Sequence, residues 1–299
     1  MKLVKPKAEI LVQESGLQGI YKQIELAGRT CYKSEDKITE DSAKTFVARM
    51  INSGHLAMLE HGTVYLCIPC NEGDEEDTYQ RDFDYSKNPY SKVVEYNNLL
   101  LVTTNYRVII ENQLFNDIER YLFVWCGNDW RFSDDDELFK HFEHRTTFKL
   151  TTSIGVTREL NRHRVHSIAE QSTRYCNYTK DKFGNEVTFC IPSWIDVPEI
   201  KCGRDIFELD VPIETRIFLR GLISAENFYS ELIKHNEWQP QQAREVLPLC
   251  TATEIVHTAF DSDWEHFFDL RYFEKTGKVH PNMKQLTTLM YEEYSNRKN

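Results

Sequence analysis

Asn161–Tyr175 reads NRHRVHSIAEQSTRY. Three arginines, Arg162, Arg164 and Arg174, share the window with one carboxylate, Glu170, so it carries +2 while the other residues of a 299-residue chain of net charge −11 carry −13. A basic knot in an acidic protein suits a small anion, because the surrounding negative field repels a long polyanion. Guanidinium forks match phosphate oxygens two at a time, and Ser172, Thr173 and backbone amides can complete a cradle. Each charge-assisted hydrogen bond contributes roughly 1.5–3 kcal/mol, so three or four suffice to hold a mononucleotide. The competing reading is an ordinary network of surface ion pairs with the abundant carboxylates.

Working outward, Val156, Leu160 and His163 predict a helix after Thr152, with Arg158 and Arg162 one turn apart on it. Ser167–Thr179 follows as a polar segment without a core pattern. Upstream, residues 14–34 place Leu17, Ile20, Ile24 and Ala27 at helical steps, and a second helix starts at Asp41 or Ser42 and stops at Gly54. Thr63–Ile68 and Thr146–Thr152 read as strands. Between them, residues 71–89 are acidic and turn-rich, an exposed loop. Val93–Tyr96, Leu99–Thr104 and Tyr106–Ile110 come next, then a helix around Phe115–Cys126 and another from near Asp134. Residues 71–145 therefore read as an insertion into a single domain spanning 1–299. Downstream, Ile213–Lys234 is the strongest helical pattern, and Ala243–Leu270 reads as a further helical region, its aromatic run from Trp264 to Phe273 forming helical core.

Composition narrows the classes. At 40% hydrophobic and 12% aromatic the chain can bury a substantial core, and no apolar run approaches the roughly 20 residues of a membrane span. The N-terminus shows no export signal. Eight cysteines are too sparse for a disulfide scaffold, so they read as thiols in the cytoplasm. Cys67 and Cys70 form a C-x-x-C without a second pair, and His55 and His61 lack zinc spacing, so no metal is expected. Nothing local activates Cys176 or Cys190 as a nucleophile. Ser172 as a nucleophile would need a held base and an oxyanion hole, so ligand contact is preferred. The absence of G-x-G-x-x-G argues against a Rossmann site. The negative balance, with no RRM or KH motif, excludes a general nucleic-acid binder.

The string RHRVHSIAEQSTRY also resembles the signature RHRxxSxNExSxRY of the flavin-dependent thymidylate synthases (ThyX type). Arg162, His163, Arg164, Ser167, Glu170, Ser172, Arg174 and Tyr175 match, and Ala169 departs. Flanking segments extend the likeness: Ala27–Cys31 resembles an AAR segment, Gly54-His55 and Glu60-His61 a GH and EH pair, Ala243–Pro248 an AR..LP element, and Leu270-Arg271 a late LR, with His280 a further match.

The resemblance implies an α+β fold, a small largely antiparallel sheet packed against several helices. It implies reductive methylation of dUMP to dTMP, with methylenetetrahydrofolate supplying the carbon, NADPH reducing a bound FAD, and homotetramers whose active sites lie between subunits. Carried over by position, it assigns dUMP to Glu159, Arg162, Glu170, Gln171, Ser172, Thr173, Arg174, Arg244 and Arg271, with Arg271 catalytic. It assigns FAD to Arg162, His163, Arg164, Glu170, His266, Glu60, His55 and His280; a flavin- or folate-site role for His55 stands level with simple packing. Glu159 stands where many members have Gln. Ala57, Phe260, Ser262 and His266 stand where members offer Thr, Asn, Arg and Asn to the flavin. These departures leave a second reading open, a non-catalytic nucleotide-binding relative that has lost flavin.

Overall fold

A computed structural model describes residues 1–70, 83–125, 137–199 and 210–298. Two short strands, β1 (Lys2–Val4) and β2 (Lys7–Leu11), lead into helix α1 (Gly16–Tyr32) and helix α2 (Ser42–Asn52). The periodic apolar positions of both helices face one another. At Gly28 an added Cβ would lie 2.5 Å from the Phe46 ring, so the absent side chain permits the close crossing. Strand β3 (Thr63–Pro69), β4 (Lys92–Tyr96) and β5 (Leu99–Asn105) form an antiparallel sheet ordered β3-β5-β4. Its inner face packs Val64, Leu66, Ile68 and Val102 against Ile20, Ile24, Phe46 and Val47.

Tyr106–Ile110 belongs to a helix, α3 (Tyr106–Glu111), because the Asn105 side chain caps it by accepting from the Val108 amide at 3.2 Å. Helix α4 (Phe115–Tyr121) is shorter than the expected 115–126. The helix expected from near Asp134 begins outside the described residues, and 139–141 makes one 3-10 turn. The acidic stretch 72–77 also lies outside them. The end of the expected exposed loop is a correction: Tyr85 is buried and donates to Asp117 at 2.8 Å.

The second sheet carries the signature. Strand β6 (Arg145–Ser153) leads into helix α5 (Ile154–Leu160), then strand β7 (Ser167–Glu170) and strand β8 (Thr188–Cys190). Helix α6 (Ile213–Lys234) has the expected bounds, and a short α7 (Pro240–Ala243) follows. The expected helical region over Ala243–Leu270 is wrong in its middle: Ala252–Phe260 is strand β9, followed by helix α8 (Asp261–Arg271) and helix α9 (Pro281–Lys298). β9 pairs with β6 on one side and β7 on the other, in the antiparallel order β2-β6-β9-β7. Its Thr253, Ile255, Val256 and Thr258 suit a strand, and burial on both faces erases the alternation that marks a half-exposed one. β1 and β8 form a separate parallel pair.

The α+β class, with small antiparallel sheets against helices, is therefore what the chain adopts. Phe148, Leu150, Ile255, Trp264, Phe267, Phe268, Met283 and Leu286 fill the space between this sheet and α5, α8 and α9, which confirms Trp264, Phe267 and Phe268 as core, while Phe273 is exposed. No helix among the described residues is long and apolar enough to cross a membrane.

Candidate functional site

The signature winds across the end of the second sheet. Ser153 caps α5 by accepting from the Val156 amide, and the helix ends at Leu160, so Arg158 and Arg162 do not share it. Asn161–His166 forms tight turns in which the His163 amide donates to Leu160 O and the His166 amide to His163 O. These turns leave Arg162 and Arg164 exposed while His166 turns inward. β7 then replaces the expected featureless segment: Ser167 and Ala169 are buried and Glu170 is half-buried. Its polar sequence hid it, because the polar groups are used internally.

At the rim, Arg271 at the end of α8 meets residues more than a hundred positions away in sequence. Its Nε donates to His163 Nε2 at 3.2 Å, and its Nη1 lies 3.4 Å from Glu159 Oε2. Burial, with Arg271 and His266 nearby, lowers His163 to about 4. The ring is therefore neutral at pH 7 and accepts from Arg271, and it packs edge-to-face with Phe267, centroids 4.8 Å apart. His266 itself is exposed on α8. Glu159 also opens onto a cleft of about 530 Å³ lined by Val156, Trp194, Phe218, Leu249 and His280.

A second group forms where β7 runs out. Glu170 accepts from Thr157 Oγ1 at 2.9 Å, and burial raises its carboxyl despite that bond. The Gln171 amide donates to Glu254 O and the Ser172 amide to Cys31 O, fixing the segment against β9 and the end of α1. Arg244 Nη1 donates to Thr173 Oγ1 at 2.8 Å, and the Arg174 amide to Ser172 Oγ at 3.3 Å. The Arg174 guanidinium is exposed beside the Tyr175 ring.

The remaining residues singled out in the sequence lie elsewhere. His55, exposed, precedes the 3-10 turn Leu56–His61, and Glu60 on that turn pairs with Arg107 at 2.7 Å. Among the described residues no hydrogen bond or ion pair links His55 or Glu60 to Arg271, His163 or Glu159. Phe260 is buried, with Lys92 Nζ 4.6 Å from its ring centroid, and Lys92 also bonds Ser262. Ala57 is exposed. Cys31, Cys70, Cys176, Cys190 and Cys250 are free thiols, and burial pushes Cys190 up to about 12 and raises Cys176. Among the described residues no three His, Cys, Asp or Glu side chains gather to hold a metal.

Beneath the rim lies a layer that sequence reasoning missed. His166 and His257 share a hydrogen bond of 2.8 Å from Nδ1 to Nε2, and His61 Nδ1 bonds Thr258 Oγ1 at 2.9 Å. Burial lowers His61 and His166 to about 3 and His257 well below its ordinary value. Arg145, buried in the same layer, donates to Glu60 O, Thr63 Oγ1 and Ser167 Oγ, and burial pulls it down to about 10. Recognising β9 as a strand would have placed His257 inside.

A family model described as thymidylate synthase complementing protein matches residues 136–297, a span holding the whole rim from Glu159 to Arg271. The chain belongs to this family. Residues 1–135, which include α1–α4 and β1–β5, lie outside the match. Flavin-dependent thymidylate synthases of Pyrococcus furiosus and Pyrococcus abyssi are 30% and 29% identical to this family member over 157 residues. That alignment covers 52% of the chain and 57% of each relative, so the chain spans little more than half their length. Among solved structures, a UMP/dUMP methylase, PolB, from Streptomyces cacaoi bound with 5-Br UMP aligns over 99% of this chain and 92% of its own, with a TM-score of 0.43 at 15% identity. Thymidylate Synthase X (ThyX) from Helicobacter pylori with FAD and dUMP aligns over 54% and 74%, with a TM-score of 0.38 at 18% identity.

Proposed function

We propose that this protein is a flavin-dependent thymidylate synthase that converts dUMP to dTMP, with methylenetetrahydrofolate as carbon donor and NADPH as reductant, acting as a homotetramer with active sites between subunits. The observation that carries the reading is the meeting of Arg271 with His163 and Glu159 at the mouth of an arginine-bearing turn. In this reading the chain is one domain interrupted by residues 71–145, and it works in the cytoplasm.

Arg162, Arg174 and Arg244, with Ser172 and Thr173, would bind the nucleotide phosphate, and Glu170 completes that side of the site, whereas the Gln171 side chain turns to the other face of the segment. Arg271 would lie against the pyrimidine, where its permanent charge stabilises the negative charge that develops on the carbonyl oxygens as N3 ionises and as C5 gives up its proton. Neutral His163 holds the Arg271 fork by accepting from Nε, and Glu159 steadies its other arm. Glu159 accepts only, so it is suited to the pyrimidine N3–H.

The donor set fits FAD in part. Arg162 and Arg164 are exposed, and no carboxylate among the described residues pairs with either, as a diphosphate requires. His163, His266, His55, Glu60, His280 and Glu170 are the other residues assigned to it. Bound FAD, reduced by NADPH, would supply the hydride that completes the methyl group. The test is a visible spectrum of protein mixed with FAD, before and after anaerobic NADPH, followed by assay for dTMP. A bound-flavin band that bleaches, with dTMP formed, supports the reading.

One observation favours the second reading, a nucleotide-binding relative without flavin. Phe260 is buried and Lys92 holds Ser262, so these two positions present no free polar side chain to a cofactor. Binding of dUMP without binding of FAD would select it.

A further inference from the structure

A cavity of about 430 Å³ lies between the β1–β8 pair and the strands β2, β6 and β9. That volume falls within the range of small-molecule sites, about 300–1,000 Å³. It is distinct from the rim. Successive residues of an extended segment point to opposite faces, and Glu170 reaches Thr157 of α5 whereas Gln171 lines this cavity.

Its lining is cationic. Lys2, Lys7, Lys33 and Lys182 come from four separate segments, and Glu254 is the one carboxylate in the wall. Glu254 is already engaged by Lys33 and by Lys149, the latter at 3.5 Å, and Lys33 also meets Glu35. Burial alone would raise Glu254, but these two lysines hold it below its ordinary value. Among the described residues no carboxylate pairs with Lys2, Lys7 or Lys182, in a chain whose net charge is −11. Phe183 and Tyr178, edge to face with centroids 5.3 Å apart, supply an aromatic section of wall. Tyr178 is 4% exposed, and its buried hydroxyl has no hydrogen-bond partner. Thr151 and Thr188 add hydroxyls, and Gly184, with φ +72°, turns the chain closely around the mouth.

The arrangement of cations indicates the anion. Ammonium groups act on phosphate as point charges, and four of them from separate segments suit an anion whose charge is spread over oxygens facing several directions, as in a phosphate ester. The cavity lining has lysines and no arginine, the reverse of the rim. We propose that this cavity binds a phosphorylated small molecule of about mononucleotide size, at a site separate from the arginine rim and joined to it through Gln171. The inference does not depend on the synthase reading.

The test titrates the full-length protein with tripolyphosphate at low ionic strength, using wild type, Lys2→Gln/Lys182→Gln and Arg174→Ala. Arg174→Ala should keep the cavity's binding of the probe and lose only the share that the rim takes up, and the lysine variant is read against that cavity binding. The double lysine variant should bind at least about ten-fold more weakly, and citrate should bind wild type at least about ten-fold more weakly than tripolyphosphate. Absence of binding by wild type, equal binding of citrate, or binding lost with Arg174 and kept without the lysines would each overturn the proposal. If the double variant does not fold, reductive methylation of wild type gives the answer. Tripolyphosphate should protect Lys2, Lys7, Lys33 and Lys182 but not exposed Lys140, and equal labelling with and without the probe overturns the proposal.

Discussion

The rim and the histidine layer beneath it are built from the same residue types and treat them oppositely. At the rim, Arg162, Arg164 and Arg174 keep their guanidinium groups in solvent. One layer down, Arg145 is buried and spends its donors on Glu60 O, Thr63 and Ser167, while His61, His166 and His257 are held neutral by burial. Charges without partners at a surface are available to a ligand. A buried cation whose bonds go to carbonyl and hydroxyl oxygens serves to bind strands together. His163 and Arg271 sit at the boundary, half-buried and bonded to each other.

The sharpest way to break this contrast is to alter one member of each layer. Arg271→Ala should lower kcat for dTMP formation by about 10²–10³ while leaving the unfolding midpoint nearly unchanged. A variant with normal turnover would move the reacting centre elsewhere. His166→Ala should do the reverse. It strands His257 Nε2 and empties space beside Trp264, costing about 2–3 kcal/mol of stability in urea unfolding, with dUMP affinity little changed. Arg174→Ala should weaken dUMP binding about ten- to hundred-fold without lowering stability, read by calorimetric titration. Equal affinity would remove Arg174 from the cradle.

Acid separates the layers as well. His61 and His166 have folded-state values near 3, below the roughly 6.5 of an unfolded histidine. The unfolded chain therefore takes up protons first. The stability these rings contribute is complete above about pH 6.5 and falls as pH drops toward 3, by about 1.4 kcal/mol per pH unit for each ring. Urea midpoints measured from pH 7 to pH 5 should decline accordingly, and His166→Ala should remove about one proton from that slope. An unchanged slope would mean that His166 is not kept neutral by the fold. The smallest effect belongs to the surface: Arg107→Ala, which loses a half-buried contact to Glu60 and an exposed one to Glu111, should cost about 1 kcal/mol or less.

What could be read from the sequence follows the same division. Helices α1, α2 and α6 bury one face, so their spacing announced them and their bounds agree with it. The rim was legible because phosphate chemistry demands arginine and hydroxyl residues close together in sequence, and β7 itself was hidden by that polarity. β9 was misread as helix because burial on both faces leaves no alternation. With β9 lost, His257 had no address and the buried layer could not be assembled. His61, weighed as a metal ligand, proves to be a neutral core residue bonded to Thr258. The lysine cavity was invisible for a different reason: its four cations come from segments that meet only in the fold.

The most direct measurement is release of tritium from dUMP labelled at C5, using wild type and Arg271→Ala with FAD, NADPH and methylenetetrahydrofolate present. Wild type should release tritium and form dTMP in step, and Arg271→Ala should bind dUMP yet release about a hundredth or less as fast. Wild type that binds dUMP and releases none, or a variant that matches wild type, would contradict the assignment of the Arg271–His163–Glu159 group as the reacting centre.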